Sequence, residues 1–197
     1  CETCQEEYSN PNDRRFHSQT NSCSNCGIDF YLSDNSGIRI AVKKEELFEK
    51  IAELLQQGKI VAVKNTSGYL LCCDASNSKV IQKLRKKKNR PQKPFAVLYP
   101  TIQLVEKHFK INSIQKKTFE SPQRPIIILP TTNETPNLAV KDIAPNLNQL
   151  GVLLPYSAIL QLIAAKFKAP LIATSGNLHG SPILSEINEA GSELKEV

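Results

Sequence analysis

The chain has 197 residues, with 25 Lys and Arg against 19 Asp and Glu for a formal charge of +6; 40% of residues are apolar and 22% charged. This composition excludes a disordered tail and leaves room for one sizeable core plus a small satellite module. No apolar run approaches the ~18 residues of a membrane helix and no charged-then-apolar leader follows Cys1, so membrane and secreted classes fall away and a cytoplasmic location is expected.

A chain that opens on Cys1 and holds no Met is read as an internal piece of something longer. It begins with Cys1-Glu-Thr-Cys4 and Cys23-Ser-Asn-Cys26, a C-x2-C-x18-C-x2-C pattern with the spacing of a four-thiolate zinc site. Each C-x2-C puts two sulfurs on one knuckle, and two knuckles complete a tetrahedron. Cys1, Cys4, Cys23 and Cys26 are therefore the expected ligands of a structural Zn2+. Two disulfides would use the same thiols but need an oxidising compartment that nothing indicates. His17, lying between the knuckles, reads as a surface residue or one that backs a ligand. Residues 1–32 cannot bury a core, so the metal should supply most of the folding energy.

Residues 33–41 read as a linker, with Ser33–Gly37 polar and turn-forming, and 42–197 as an α/β domain. From Lys43 the apolar spacing is helical: Leu47, Phe48, Ile51, Leu54 and Leu55, with Gly58 as a stop. Strands are predicted at Ile60–Val63, Leu70–Cys73, Phe95–Leu98, Ile126–Leu129, Val152–Leu154 and Leu171–Ala173. Helices are predicted at Ser78–Lys88, Thr101–Phe109, Ser113–Phe119 and Ala158–Lys168. That interleaving argues an α/β sheet covered on at least one side. Cys72 and Cys73 are adjacent on a strand, so they face opposite sides and read as core.

The basic charge is local. Between Asp74 and Glu106 there is no acidic residue, yet eight cations stand at Lys79, Lys83, Arg85, Lys86, Lys87, Lys88, Arg90 and Lys93, leaving the rest of the chain at −2. Pro91 and Pro94 stiffen the loop that holds Lys88, Arg90 and Lys93 together against their repulsion, which a polyphosphate would relieve. A second loop, Thr174-Ser175-Gly176-Asn177, offers hydroxyls, an amide and unhindered backbone to an oxyanion. No G-x4-GK-[ST] pattern occurs.

Lys88-Asn89-Arg90 and Ser175-Gly176-Asn177 match, in order, the K-x-R and S-x-N motifs of the YrdC-like family. The runs Leu84–Val97 and Gly151–Tyr156 fit it as well. With the four-cysteine module and Asn12-Asp13-Arg14-Arg15-Phe16-His17 ahead of it, the chain resembles the HypF family of hydrogenase-maturation carbamoyltransferases. The resemblance covers essentially the whole chain and implies a zinc module followed by an α/β domain with a twisted mixed sheet.

The activity it implies is ATP-dependent adenylation of carbamate, released from carbamoyl phosphate, with pyrophosphate leaving. The carbamoyl group then passes to the C-terminal cysteine of the partner HypE. Under that resemblance Lys88, Arg90 and Lys93 hold phosphates with Mg2+ bridging oxygens, and Ser175, Asn177 and Thr174 bind the nucleotide phosphate or orient carbamate. Lys64, Thr66, Ser67 and Tyr69 line the acyl pocket, and Arg124 is a further candidate. Two departures stand out: Asn65-Thr66-Ser67-Gly68 replaces a Gly-rich stretch, and Val197 precedes segments that complete the family's nucleotide site, so weak or absent activity is expected of this piece alone. The alternatives are a threonylcarbamoyl-adenylate synthase of tRNA modification, which ordinarily lacks the zinc module, and a double-stranded RNA-binding module built on the basic surface.

Overall fold

The computed structural model describes residues 1–131, 137–177, 181–186, 190 and 193–194. The expected domain end at 197 lies outside the described residues. The chain divides into two compact units, Cys1–Tyr31 and Leu32–Val197.

The first unit carries one helix, α1 (Glu2–Ser9), which the sequence pattern did not predict. Cys4 is its one buried apolar residue, so apolar burial cannot hold this unit together.

The second unit opens on a small turn rather than an open linker. Ser33 bridges Arg39, Ile40 N–H donates to Leu32 O at 2.8 Å, and the Asp34 carboxylate accepts from the Ser36 and Ile38 amides. An aspartate at the head of a turn organises backbone in this way.

A 3-10 turn (Lys44–Glu46) leads into α2 (Leu47–Gln56), and the predicted elements follow with one addition, α6: β1 (Val61–Asn65), β2 (Gly68–Asp74), α3 (Ser78–Lys87), β3 (Ala96–Leu98), α4 (Ile102–His108), α5 (Ser113–Glu120), β4 (Ile127–Pro130), α6 (Val140–Ile143), β5 (Gln149–Leu153), α7 (Ala158–Phe167) and β6 (Leu171–Ser175). α6 is one short turn, below the length that apolar periodicity can reveal. Side chains fix several helix starts: Asn77 caps α3, Thr101 caps α4, and Asn112 with Gln115 forms a capping box on α5.

The six strands form one mixed sheet in the order β1-β2-β6-β3-β5-β4; β3 and β5 are parallel and all other pairs antiparallel. One face, bearing Leu71, Cys73, Val97, Leu129, Val152 and Ile172, packs with Ile81 and Leu84 of α3, Val105 of α4 and Phe119 of α5 into the main core. On the other face Cys72, Leu98, Leu153 and Leu171 are buried outside that cluster, and α2 packs against α7. Cys72 and Cys73 thus serve opposite faces; burial pushes the Cys72 thiol up to about 12 and raises Cys73 as well.

Candidate functional site

Strand polarity decides which loops meet. β6 runs antiparallel to β3, with Ala173 opposite Ala96, so the end of β6 and the approach to β3 share one edge of the sheet. β2 is antiparallel to β6, with Leu70 opposite Ser175, and the β1–β2 turn therefore joins the same edge. Lys64, Thr66, Ser67, Tyr69, Lys88, Arg90, Lys93, Thr174, Ser175 and Asn177 all gather there. Arg124 precedes β4, which is antiparallel to β5, and so lies at the opposite edge. There its Nη1 donates to Phe119 O at 3.0 Å, and it lines a concavity of about 200 Å³ with Thr101, Glu120 and Pro155. The fold does not bring Arg124 to the other candidates. A larger concavity of about 480 Å³ runs along α5, also away from them.

The centre of the gathered edge is Lys88, only 3% exposed. Its ammonium donates to Ser175 O and Asn177 O, both at 2.6 Å, and to Asn177 Oδ1 at 3.2 Å. An ammonium has three N–H donors, and protein oxygens take all three. Ser175 Oγ donates to the same Asn177 Oδ1 at 2.6 Å, and Asn177 Nδ2 donates to Ser181 O at 2.6 Å. Burial, with Arg90 adding, pushes Lys88 down to about 8, which leaves it charged at neutral pH. Lys88 therefore ties the K-x-R and S-x-N segments together instead of presenting a free ammonium.

Arg90 is half-buried. Its Nη2 donates to Pro94 O at 2.5 Å, its Nε to Lys93 O at 3.2 Å and its Nη1 to Thr174 Oγ1 at 3.5 Å. Lys93 is exposed. Behind them lies Arg85, which sequence reasoning counted among the cations without giving it a role. It is 8% exposed, its guanidinium stands 4.5 Å from the Phe95 ring centre, and Arg90 stands 5.0 Å from the same ring. Arg85 repeats a one-residue charge pattern with Lys86 and Lys87, and only the helical period, which turns it inward beside Leu84, distinguishes it. Asp142 offsets part of the charge on Arg85, while Lys88 and Arg90 are partly or fully buried cations with no carboxylate partner among the described residues, a surplus that an anion would relieve.

In the β1–β2 turn, Lys64 donates to Ser185 O and stands 5.6 Å from the Tyr69 ring, while Thr66 and Ser67 are exposed. Tyr69 N–H donates to Leu184 O at 2.8 Å and Tyr69 O accepts from Gly176 N–H at 2.6 Å, locking this turn to the Ser175–Asn177 loop. A Cβ on Gly176 would stand 2.6 Å from Tyr69 Cβ, so only glycine allows that approach. Between the strands, Ala96, Gly151 and Ala173 form a half-exposed, small-residue row continuous with exposed Ile128, on the face that also carries Ser175.

In the first unit the sulfurs of Cys1, Cys4, Cys23 and Cys26 all lie within 4.8 Å of one another. Cys1 and Cys23 stand 3.6 Å apart, Cys4 and Cys26 3.5 Å, and Cys23 and Cys26 3.7 Å. A tetrahedron with ~2.3 Å metal–sulfur bonds has edges of ~3.8 Å, so the four thiols fit Zn2+ and are too far apart for disulfides. A backbone hydrogen bond from Cys23 leads in lowering Cys26 to about 7, while its side-chain hydrogen bond to Cys26 leads in raising Cys4 to about 11. Gly27 closes the second knuckle, its N–H donating to Cys23 O at 2.7 Å. His17 instead packs edge-on against Phe16 at 4.2 Å and tilted against Tyr8 at 5.0 Å.

Residues 53–197 match the Sua5/YciO/YrdC family, described as telomere recombination, and residues 1–33 match the HypF finger. Carbamoyltransferase HypF of Rhodobacter capsulatus is 34% identical over 194 residues, 98% of this chain and 25% of that relative. A putative threonylcarbamoyl-AMP synthase of Methanocaldococcus jannaschii is 28% identical over 171 residues, 83% of this chain and 78% of that relative. The crystal structure of full-length HypF in its phosphate- and nucleotide-bound form superposes with a TM-score of 0.85 at 35% identity, over 100% of this chain and 25% of that one. The chain thus spans about a quarter of the length of the HypF relatives it matches.

Proposed function

This chain belongs to the Sua5/YciO/YrdC family and bears a HypF finger ahead of that domain, and on this premise we propose that it adenylates carbamate within a carbamoyltransferase. The observation that carries the reading is the cation cluster at one sheet edge, where Lys88 and Arg90 have no carboxylate partner among the described residues and Arg85 is offset only by Asp142. A nucleotide polyphosphate supplies the charge this cluster lacks.

In the reaction, a carbamate oxygen forms a bond to the α-phosphorus of ATP while the bond from that phosphorus to the bridging oxygen breaks, and pyrophosphate leaves with the electron pair. Little covalent work falls to the protein, so charge neutralisation and alignment dominate. Arg90 and exposed Lys93 neutralise the phosphates. Lys88, with its three donors spent, acts as the clamp that holds Ser175 and Asn177 in place. The Ser175 hydroxyl orients the α-phosphate, buried Thr174 backs the Arg90 guanidinium through Oγ1, and Lys64, Thr66, Ser67 and Tyr69 border the acyl group. Among the described residues Lys88 and Arg90 have no carboxylate partner of the kind Mg2+ prefers, so Mg2+ would arrive on the nucleotide. Cys1, Cys4, Cys23 and Cys26 hold Zn2+, which supplies a closed structural cross-link and leaves no position for substrate. Carbamoyl phosphate as the carbamate source and HypE as acceptor belong to the same proposal.

The test is exchange of labelled pyrophosphate into ATP by a protein of the relatives' full length carrying this chain. Exchange that requires carbamoyl phosphate and is lost in Arg90→Ala is expected, with near-background exchange by the 197 residues alone. Exchange that requires threonine and bicarbonate instead would move the reading to the threonylcarbamoyl-AMP synthase relatives, which the 28% identity to the M. jannaschii protein keeps in view.

A further inference from the structure

Arg85 makes a set of bonds that its place in a lysine-rich helix does not announce. Its Nη1 donates to Arg90 O at 2.7 Å, Lys93 O at 3.1 Å and Pro91 O at 3.3 Å, its Nε donates to Asp142 O at 2.6 Å, and its Nη2 donates to Ile143 O at 2.8 Å. Every one of these acceptors is a backbone carbonyl. Three belong to the loop between α3 and β3, and two to the end of α6, where Ile143 O also accepts the Phe95 N–H at 3.0 Å. One planar fork thus staples the loop to a second, separate segment.

The loop sequence suits this. The carbonyls of Arg90 and Lys93 each precede a proline, so those peptide units have no N–H of their own to satisfy. Pro91 O shares its trans peptide unit with the Gln92 N–H, and the two point in opposite directions. With Pro91 O turned inward to Arg85, Gln92 N–H is turned outward, and it has no protein acceptor among the described residues. On the same loop, the guanidinium of Arg90 is set against the face of Phe95 and the carbonyls of Lys93 and Pro94.

We propose that Arg85 is a positioning residue for nucleotide binding: it touches no ligand, but by holding the carbonyls of Arg90, Pro91 and Lys93 it aims the Arg90 guanidinium and the Gln92 N–H at one phosphate group. The inference rests on the adenylation reading above and adds to it the device that shapes the phosphate loop. A lysine keeps the charge of Arg85 but has three donors and no planar fork, so it cannot reproduce five bonds in two directions.

The experiment is titration with ATP and Mg2+ of a protein of the relatives' full length carrying this chain, alongside thermal unfolding and backbone amide exchange at Gln92, Lys93 and Phe95. Arg85→Lys should raise the ATP dissociation constant at least tenfold and speed amide exchange in the loop. Lys83→Met, which removes one charge from the exposed face of the same helix, should leave the dissociation constant within twofold. Should Arg85→Lys fold poorly, Arg85→Ala with guanidinium ion added below denaturing concentration should recover ATP binding, which a residue of merely structural worth would not show. ATP affinity within twofold of the unaltered protein in a folded Arg85→Lys, or no recovery by guanidinium, overturns the proposal even if stability falls. No ATP binding by the unaltered full-length protein would instead overturn the adenylation reading, and this inference with it.

Discussion

Tyr99 is fully buried, and its hydroxyl lies 2.9 Å from His108 Nδ1, an arrangement in which the phenol donates to a neutral imidazole. The same rings meet edge to face at 5.5 Å. Burial, and then the charge of Lys107, hold His108 below its ordinary value of 6.5. The unfolded chain therefore takes up the proton before the folded one does. Stability from this pair is present above about pH 6.5 and is lost as pH falls through that value toward the lower folded one. The unaltered chain should lose more thermal stability between about pH 7 and pH 5 than His108→Gln, whose side chain does not titrate; equal slopes would count against the pairing. Residues of this kind are illegible in the sequence because nothing local joins position 99 to 108. The opposite holds for Lys88, Arg90, Ser175 and Asn177, whose types and order single them out in the sequence. What their types hide is division of labour: Lys88 reads as a phosphate ligand, and only its three protein acceptors reveal a clamp.

Among the elements, the join between β2 and β6 is the one on which the site depends most. Gly176 donates to Tyr69 O and accepts from Leu184 N–H at 3.1 Å, so one glycine links the β1–β2 turn, the Ser175–Asn177 loop and the segment 181–186. In Gly176→Ala the new methyl meets Tyr69 Cβ and the Tyr69 carbonyl oxygen at 2.6 and 2.9 Å, neither of which is the end of a flexible side chain. Denaturant unfolding should show a loss of about 1–3 kcal/mol, with ATP binding weakened because Ser175 and Asn177 move with the loop. Unchanged binding in a destabilised variant would separate this join from the site. The six strands were legible because each is a short apolar run between breakers, and the longer helices because their apolar period is regular. Pairing order was not legible, since antiparallel insertion of β6 between β2 and β3 depends on long-range contacts. That order is what carries Arg124, a further candidate under the family resemblance, to the far edge.

At the scale of the whole molecule, two kinds of stabilisation operate. The unit Leu32–Val197 has the two buried layers described above, whereas Cys1–Tyr31 has four converging thiols and one buried cysteine. A strong chelator should therefore unfold the first unit and leave the cooperative thermal transition of the second in place; retention of structure around Tyr8, Phe16 and His17 without metal would contradict a metal-held fold. Charge divides in the same manner, with the surplus of cations on α3 and the loop after it. The +6 of the chain is thus a property of one sheet edge, met there by a fold that brings Thr174–Asn177 alongside. The most direct measurement is a crystal structure with ATP and Mg2+ bound. Phosphate density beside Arg90, Gln92 and Ser175 is the expected result; phosphates seated at the opposite edge beside Arg124, with the Lys88 edge empty, would contradict the assignment of this site.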